Sequence, residues 1–158
     1  MRTPYKFDIF HPNGKGMGSA LTLELYKASE ANVGKVILSI TPQKPAVSET
    51  GKPLFPTFNW ESRTAIRLEV AEVELMLEVF AGETESIADG KGLRDIASGV
   101  STTFRLRHII DPVPGYVMEI AKRDGDETIK RAITLTMTEG RMLYHGLTAS
   151  MGALMFGE

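Results

Sequence analysis

Apolar and polar residues alternate with period two from Thr64 to Val70. The pattern then turns helical from Ala71 to Phe80 without an intervening loop. The same succession returns 67 positions later, where Arg131 to Met137 alternates and runs into a second apolar helix from Thr138 to Phe156. Ala65, Ile66, Leu68 and Glu72 recur as Ala132, Ile133, Leu135 and Glu139. A strand passing directly into a helix, twice, after sheet-like sequence each time, predicts one domain over 1–158 built from two related halves, about 1–83 and 84–158.

The rest of the chain reads as strands. Residues 5–12 alternate, with Tyr5, Phe7 and Ile9 against Lys6 and Asp8, and Asn13-Gly14 then predicts a tight type I′ hairpin turn. Met17 to Lys27 returns with Leu21, Leu23 and Leu25 on one face, and Val36 to Thr41 follows with Val36, Leu38 and Ile40 inward. Residues 42–58 hold Pro42, Pro45, Pro53 and Pro56 and predict an exposed loop. A short strand is expected between Thr84 and Leu93, before an Asp89-Gly90-Lys91-Gly92 turn. Thr102–Ile110, Tyr116–Arg123 and Thr128–Met137 complete a second set of four.

In the first helix Val73, Met76, Leu77 and Phe80 share one face, and Glu72, Glu74 and Glu78 crowd the other side. Thr138 is the expected N-cap of the second, with Glu139 favourable in its first turn. That helix carries Leu143, Leu147, Met151, Leu154 and Met155, which cannot all face one sheet. Gly146 and Gly152 suggest close packing against the first helix or another subunit.

Composition narrows the function. The chain has no cysteine, which excludes disulfides, thiolate metal sites and Cys nucleophiles and suits a reducing compartment. No signal-peptide-like or membrane-spanning stretch is visible, so a cytoplasmic setting is expected. The net charge of −2 excludes nucleic-acid binding through overall charge and would require a local basic stripe with the acids segregated elsewhere. His11, His108 and His145 fall on separate elements without metal-ligand spacing, and no serine forms a nucleophile–base pair. Asp89 to Gly92 lacks the setting of a phosphate-binding P-loop. A non-enzymatic protein without metal or cofactor is expected.

Several segments resemble a known family. Lys15-Gly16-Met17-Gly18-Ser19-Ala20-Leu21 is similar to the Lys-Gly-Lys-Ala-Ala-Leu motif that opens the plant Whirly domain, with Met17 in place of its second lysine. Phe58-Asn59-Trp60-Glu61-Ser62-Arg63 resembles the family's Tyr-Asp-Trp-Ser-Arg segment, and the closing helix ending at Met155-Phe156-Gly157 resembles its C-terminal helix. The order of elements resembles the Whirly fold, related to PC4-type coactivators and kinetoplastid guide-RNA-binding proteins. The resemblance implies an α+β fold: two antiparallel four-stranded sheets, roughly perpendicular, with two helices from a repeated ββββα unit. It also implies a homotetramer packed through the helices, with single-stranded DNA running along the sheet edges between subunits.

Single-strand binding needs stacking platforms interleaved with cations. Phe55, Phe58 and Trp60, beside Lys52 and Arg63, supply such a mixture, the alternative being that these rings cap the open end of a sheet. Arg105 and Arg107 share a strand face opposite Phe104 and Leu106. With Lys122, Arg123, Lys130 and Arg131 they make six cations on three successive strands, against the alternative of an ordinary solvated face. Lys91 in its Gly-Lys-Gly turn could meet a phosphate, while Lys15 and Met17 enter through the resemblance.

The expected nucleic-acid site is therefore Lys15, Met17, Phe58, Trp60, Arg63, Lys91, Arg105, Arg107, Lys122 and Arg123. The expected function is largely sequence-independent binding of single-stranded DNA in replication, recombination or repair, in a bacterial or bacteriophage protein. The alternatives are an RNA-binding protein on the same fold, or an oligomeric assembly protein without a nucleic-acid ligand.

Overall fold

The computed structural model describes residues 4–44 and 57–157. Among them run β1 (Tyr5–His11), β2 (Ser19–Tyr26), β3 (Lys35–Pro42), β4 (Thr64–Glu69), α1 (Val70–Phe80), β5 (Leu93–Ala97), β6 (Val100–Ile109), β7 (Gly115–Asp124), β8 (Glu127–Thr136) and α2 (Met137–Phe156). The strands form two antiparallel four-stranded sheets in sequential order, β1-β2-β3-β4 and β5-β6-β7-β8. The ββββα unit is thus used twice.

Both strand-to-helix junctions lack a linking residue, and the repeat explains how. The Glu69 N–H donates to Glu72 Oε1 at 3.1 Å at the start of α1. At the equivalent place in α2, the Thr136 N–H donates to Glu139 Oε1 at 2.9 Å and the Glu139 N–H donates to Thr136 Oγ1 at 3.1 Å. Glu72 and Glu139, the outlying identity of the repeat, are therefore the third-position acids that close each helix start. The N-cap of α2 is Thr136, not Thr138: the alternating pattern ends two residues before the expected cap.

The inner faces of the two sheets and both helices share one core. Leu21, Leu23, Leu25, Val36, Leu38, Ile40, Ile66 and Leu68 come from the first sheet, and Phe104, Leu106, Met118, Ile120, Ile133 and Leu135 from the second. Val73, Met76, Val79 and Phe80 of α1 enter it with Leu143, Leu147 and Leu154 of α2. The alternation seen in the sequence is satisfied strand by strand, since period two puts every second side chain on the buried face. α1 and α2 also pack on each other, one of the two partners expected for α2.

Three local expectations change. The β1–β2 connection is not a two-residue turn: His11 pairs with Ser19, leaving a seven-residue loop, and Gly16 rather than Asn13 or Gly14 takes the left-handed conformation (φ 70°). Asn13 organises this loop through its side chain, accepting from the Lys15 and Met17 N–H groups at 3.0 and 2.9 Å. The strand expected between Thr84 and Leu93 lies after the turn, as β5, while Ile87–Gly90 forms a short 3-10 turn. Within α2, a Cβ added to Gly146 would meet nothing within 4 Å, whereas one added to Gly140 would collide with the Tyr116 ring.

The β2–β3 connection grips the end of α2. The Ala28 N–H donates to the Ala153 carbonyl at 3.0 Å. Gly34 passes so close to Leu154 that a Cβ there would lie 2.1 Å from its carbonyl oxygen. No helix among the described residues is long and apolar enough to cross a membrane.

Candidate nucleic-acid interface

With the helices and the core on the inner faces, the exposed polar and aromatic strand residues lie on the outer side of each sheet, although the middle of the first sheet's outer side is covered. On the first sheet the pairing places Lys6, Asp8 and Phe10 of β1 beside Glu24, Thr22 and Ala20 of β2. Phe58, in an isolated bridge to Gln43, brings its ring centroid within 5.3 Å of Phe10 and 6.3 Å of Trp60. The Lys6 ammonium lies 5.8 Å from the centre of the Trp60 ring. Phe10 is 50% exposed and Trp60 38%, so the cluster presents ring surface to solvent while Ala20, Thr22, Ser39 and Thr41 are buried on the same side of the sheet. Farther along this face burial, then the charge of Glu24, raises the pKa of the Tyr26 phenol, which donates to Glu24 at 3.3 Å and lies under the Lys35 ammonium.

The chain holds these rings in place by backbone economy. The Asn59 N–H donates to the Pro42 carbonyl and the Lys44 N–H to that of Thr57, closing the base of the proline-rich connection. Phe55 and Lys52 lie outside the described residues. Gln43 Oε1 accepts from the N–H groups of Asn13 and Gly18, so the loop carrying Lys15 and the exposed Met17 is tied to the residue that bridges to Phe58. Arg63 folds back, Nη1 donating to the Trp60 carbonyl at 2.7 Å.

The second sheet carries the charge. Its register puts Arg94, Arg105, Arg107, Arg123 and Lys130 on the outer face, with Glu119 the one acid among the strand residues of that face. Glu119 lies directly opposite Arg105 and pairs with it at 3.5 Å, leaving the other four cations without an ion-pair partner among the described residues. The acids of this chain are elsewhere, notably on α1 and in the turn after it. Lys91, in the turn leading to β5, is exposed, and Gly92 beside it packs on the Arg105 side chain.

The six expected cations do not share one surface. Lys122 and Arg131 have the opposite parity to Arg123 and Lys130 and lie on the other side of the sheet. Lys122 is exposed there, away from Arg105 and Arg107. Arg131 instead donates through Nε to the Ser62 carbonyl at 3.1 Å, fastening β8 to the turn that carries Trp60. This bond joins the aromatic patch of the first sheet to the edge of the cationic second sheet.

Phe10, Lys6 and Arg94 were not among the expected site residues. Phe10 is out of phase with Tyr5, Phe7 and Ile9, the one available signal that it faces the other way. Arg94 depends on where β5 begins.

Fold and faces together define a Whirly-like α+β domain. WHY1 from Arabidopsis thaliana superimposes with a TM-score of 0.70 at 15% identity, covering 99% of this chain and 88% of that one. A guide-RNA-binding protein complex bound to a gRNA gives a TM-score of 0.65 at 16% identity, covering 99% and 97%. The plant transcriptional regulator PBF-2 gives 0.65 at 18%, covering 98% and 84%. No family model matches the chain, and no curated protein matches it.

Proposed function

We propose that this protein binds single-stranded DNA without chemistry, largely independently of sequence, protecting or presenting it in replication, recombination or repair. The observation that carries the reading is the charge segregation. A chain of net charge −2 gathers five cations against one acid on the outer face of the second sheet and exposes aromatic rings on the outer side of the first. Phosphates would follow Arg94, Arg105, Arg107, Arg123 and Lys130, with Lys91 and Lys15 at the margins. Bases would stack on Trp60, Phe58 and Phe10, with Met17 as an apolar contact and Arg63 holding the Trp60 turn in shape. The structural likeness to a complex bound to a guide RNA favours a second reading, RNA binding on the same surface.

Self-association, with a tetramer as the expected form, is part of the proposal. Met142, Gly146, Ala149, Ala153 and Phe156 follow helical spacing along α2, and Met142 and Phe156 remain 50% and 74% exposed. The absence of cysteine suits a reducing compartment.

Fluorescence anisotropy with a labelled mixed-sequence single strand of about 30 nucleotides, with duplex and RNA as competitors, tests the reading. Expected are binding that duplex does not displace and affinity that falls steeply with salt. Trp60→Ala should weaken binding by roughly tenfold, and Arg107→Ala should reduce the salt dependence. Preferential displacement by RNA would favour the second reading. No binding of either at micromolar protein would leave the assembly-protein alternative.

A further inference from the structure

A carboxylate stands inside the aromatic patch. Asp8 lies between Lys6 and Phe10 on the outer side of β1, and these two neighbours contact Trp60 and Phe58 respectively. Its Oδ1 accepts from the Thr22 hydroxyl at 2.8 Å, which fixes the orientation of the group. Oδ2 has no hydrogen bond or ion pair among the described residues, and Lys6 is turned to the Trp60 ring rather than to Asp8. A half-buried carboxylate repels a phosphate, so its place among stacking surfaces suits contact with a base edge instead.

The chemistry of the edges selects among the bases. A carboxylate only accepts hydrogen bonds. Guanine offers its N1–H and N2 amino donors side by side, matching two oxygens. Adenine and cytosine set an amino donor beside an acceptor nitrogen, and thymine or uracil sets its N3–H between two carbonyls. Each of these opposes the second oxygen.

Resting on the nucleic-acid reading above, we infer that this patch is a base-reading position favouring guanine in a single strand, with Asp8 as the specificity-determining residue. Phosphate contacts on the second sheet remain indifferent to sequence, so the effect is a bias at one position rather than recognition of a long site.

The test compares three oligonucleotides on the full chain: oligo(dT), the same oligomer with isolated guanines, and its counterpart with inosine, which lacks the N2 amino group. The guanines are spaced to prevent quadruplex formation. The guanine oligomer should bind about tenfold more tightly than oligo(dT), and inosine should lose most of that gain. In Asp8→Asn, checked for folding by circular dichroism, the guanine-to-thymine affinity ratio should collapse towards one. Equal affinity for all three oligomers would overturn the inference and leave the nucleic-acid reading standing. A guanine preference surviving in Asp8→Asn would place base reading elsewhere and also overturn it. The inosine comparison needs no variant, so a misfolded Asp8→Asn would not rescue the idea. Failure to bind any oligomer would sink both readings together.

Discussion

Glu139 serves three bonds at once. Its Oε1 accepts from the Thr136 N–H, its own N–H donates to Thr136 Oγ1, and its Oε2 lies 2.7 Å from His11 Nε2. The start of α2 is thereby fastened to the end of β1, immediately before the loop that carries Lys15 and Met17. Glu139→Ala should cost about 1–2 kcal/mol in urea denaturation. Glu72→Ala, which removes only the cap of α1, should cost less. Equal losses would mean that the contact with His11 contributes nothing to stability. The repeated glutamate was legible as an identity between the halves, but its role was not, because the sequence placed the helix start two residues late.

At the scale of elements, the bend between β2 and β3 decides how α2 ends. Gly34 lies where any side chain would meet the backbone of Leu154. Backbone cannot move aside as a flexible side chain does, so Gly34→Ala should destabilise by about 1–3 kcal/mol. Gly14→Ala, in the β1–β2 loop with nothing within 4 Å of the added carbon, should stay within about 0.5 kcal/mol of the parent. Matching denaturation midpoints for the two variants would refute the clasp. Strand patterns were easy to read because their inward positions alternate cleanly. The Asn-Gly signal at the β1–β2 turn is local, while the side chain of Gln43, just beyond β3, holds both ends of the longer loop.

At the scale of the molecule, assembly through α2 can be separated from folding. Gly146 sits on the open side of the helix, and an added Cβ meets nothing in the chain. Beside it lies an apolar hollow of about 230 Å³ between α2 and the β1 edge, lined by Tyr5, Phe7, Leu25 and Met142. Gly146→Glu should therefore leave the circular dichroism spectrum intact and shift sedimentation from an oligomer towards a monomer. An unchanged sedimentation coefficient would remove this side of α2 from the proposed interface. Binding of a long single strand should weaken in the same variant, because linked sites gain from effective concentration.

The alternation of side chains and the doubled strand-to-helix pattern determined the two sheets, the two helices and the buried face of nearly every strand. Those properties follow from periodicity within one element, so the sequence alone carries them. Which residues share an outer surface is a property of pairing between elements. Lys122 and Arg123 are neighbours in sequence but lie on opposite faces, and only the register shows which of them stands with Arg105 and Arg107. Phe10, Asp8 and Trp60 come together through a bridge between Gln43 and Phe58 and a cation over a ring, contacts that no local pattern encodes. Tertiary structure alone decided the composition of the surface, because it sets the distances between elements far apart along the chain.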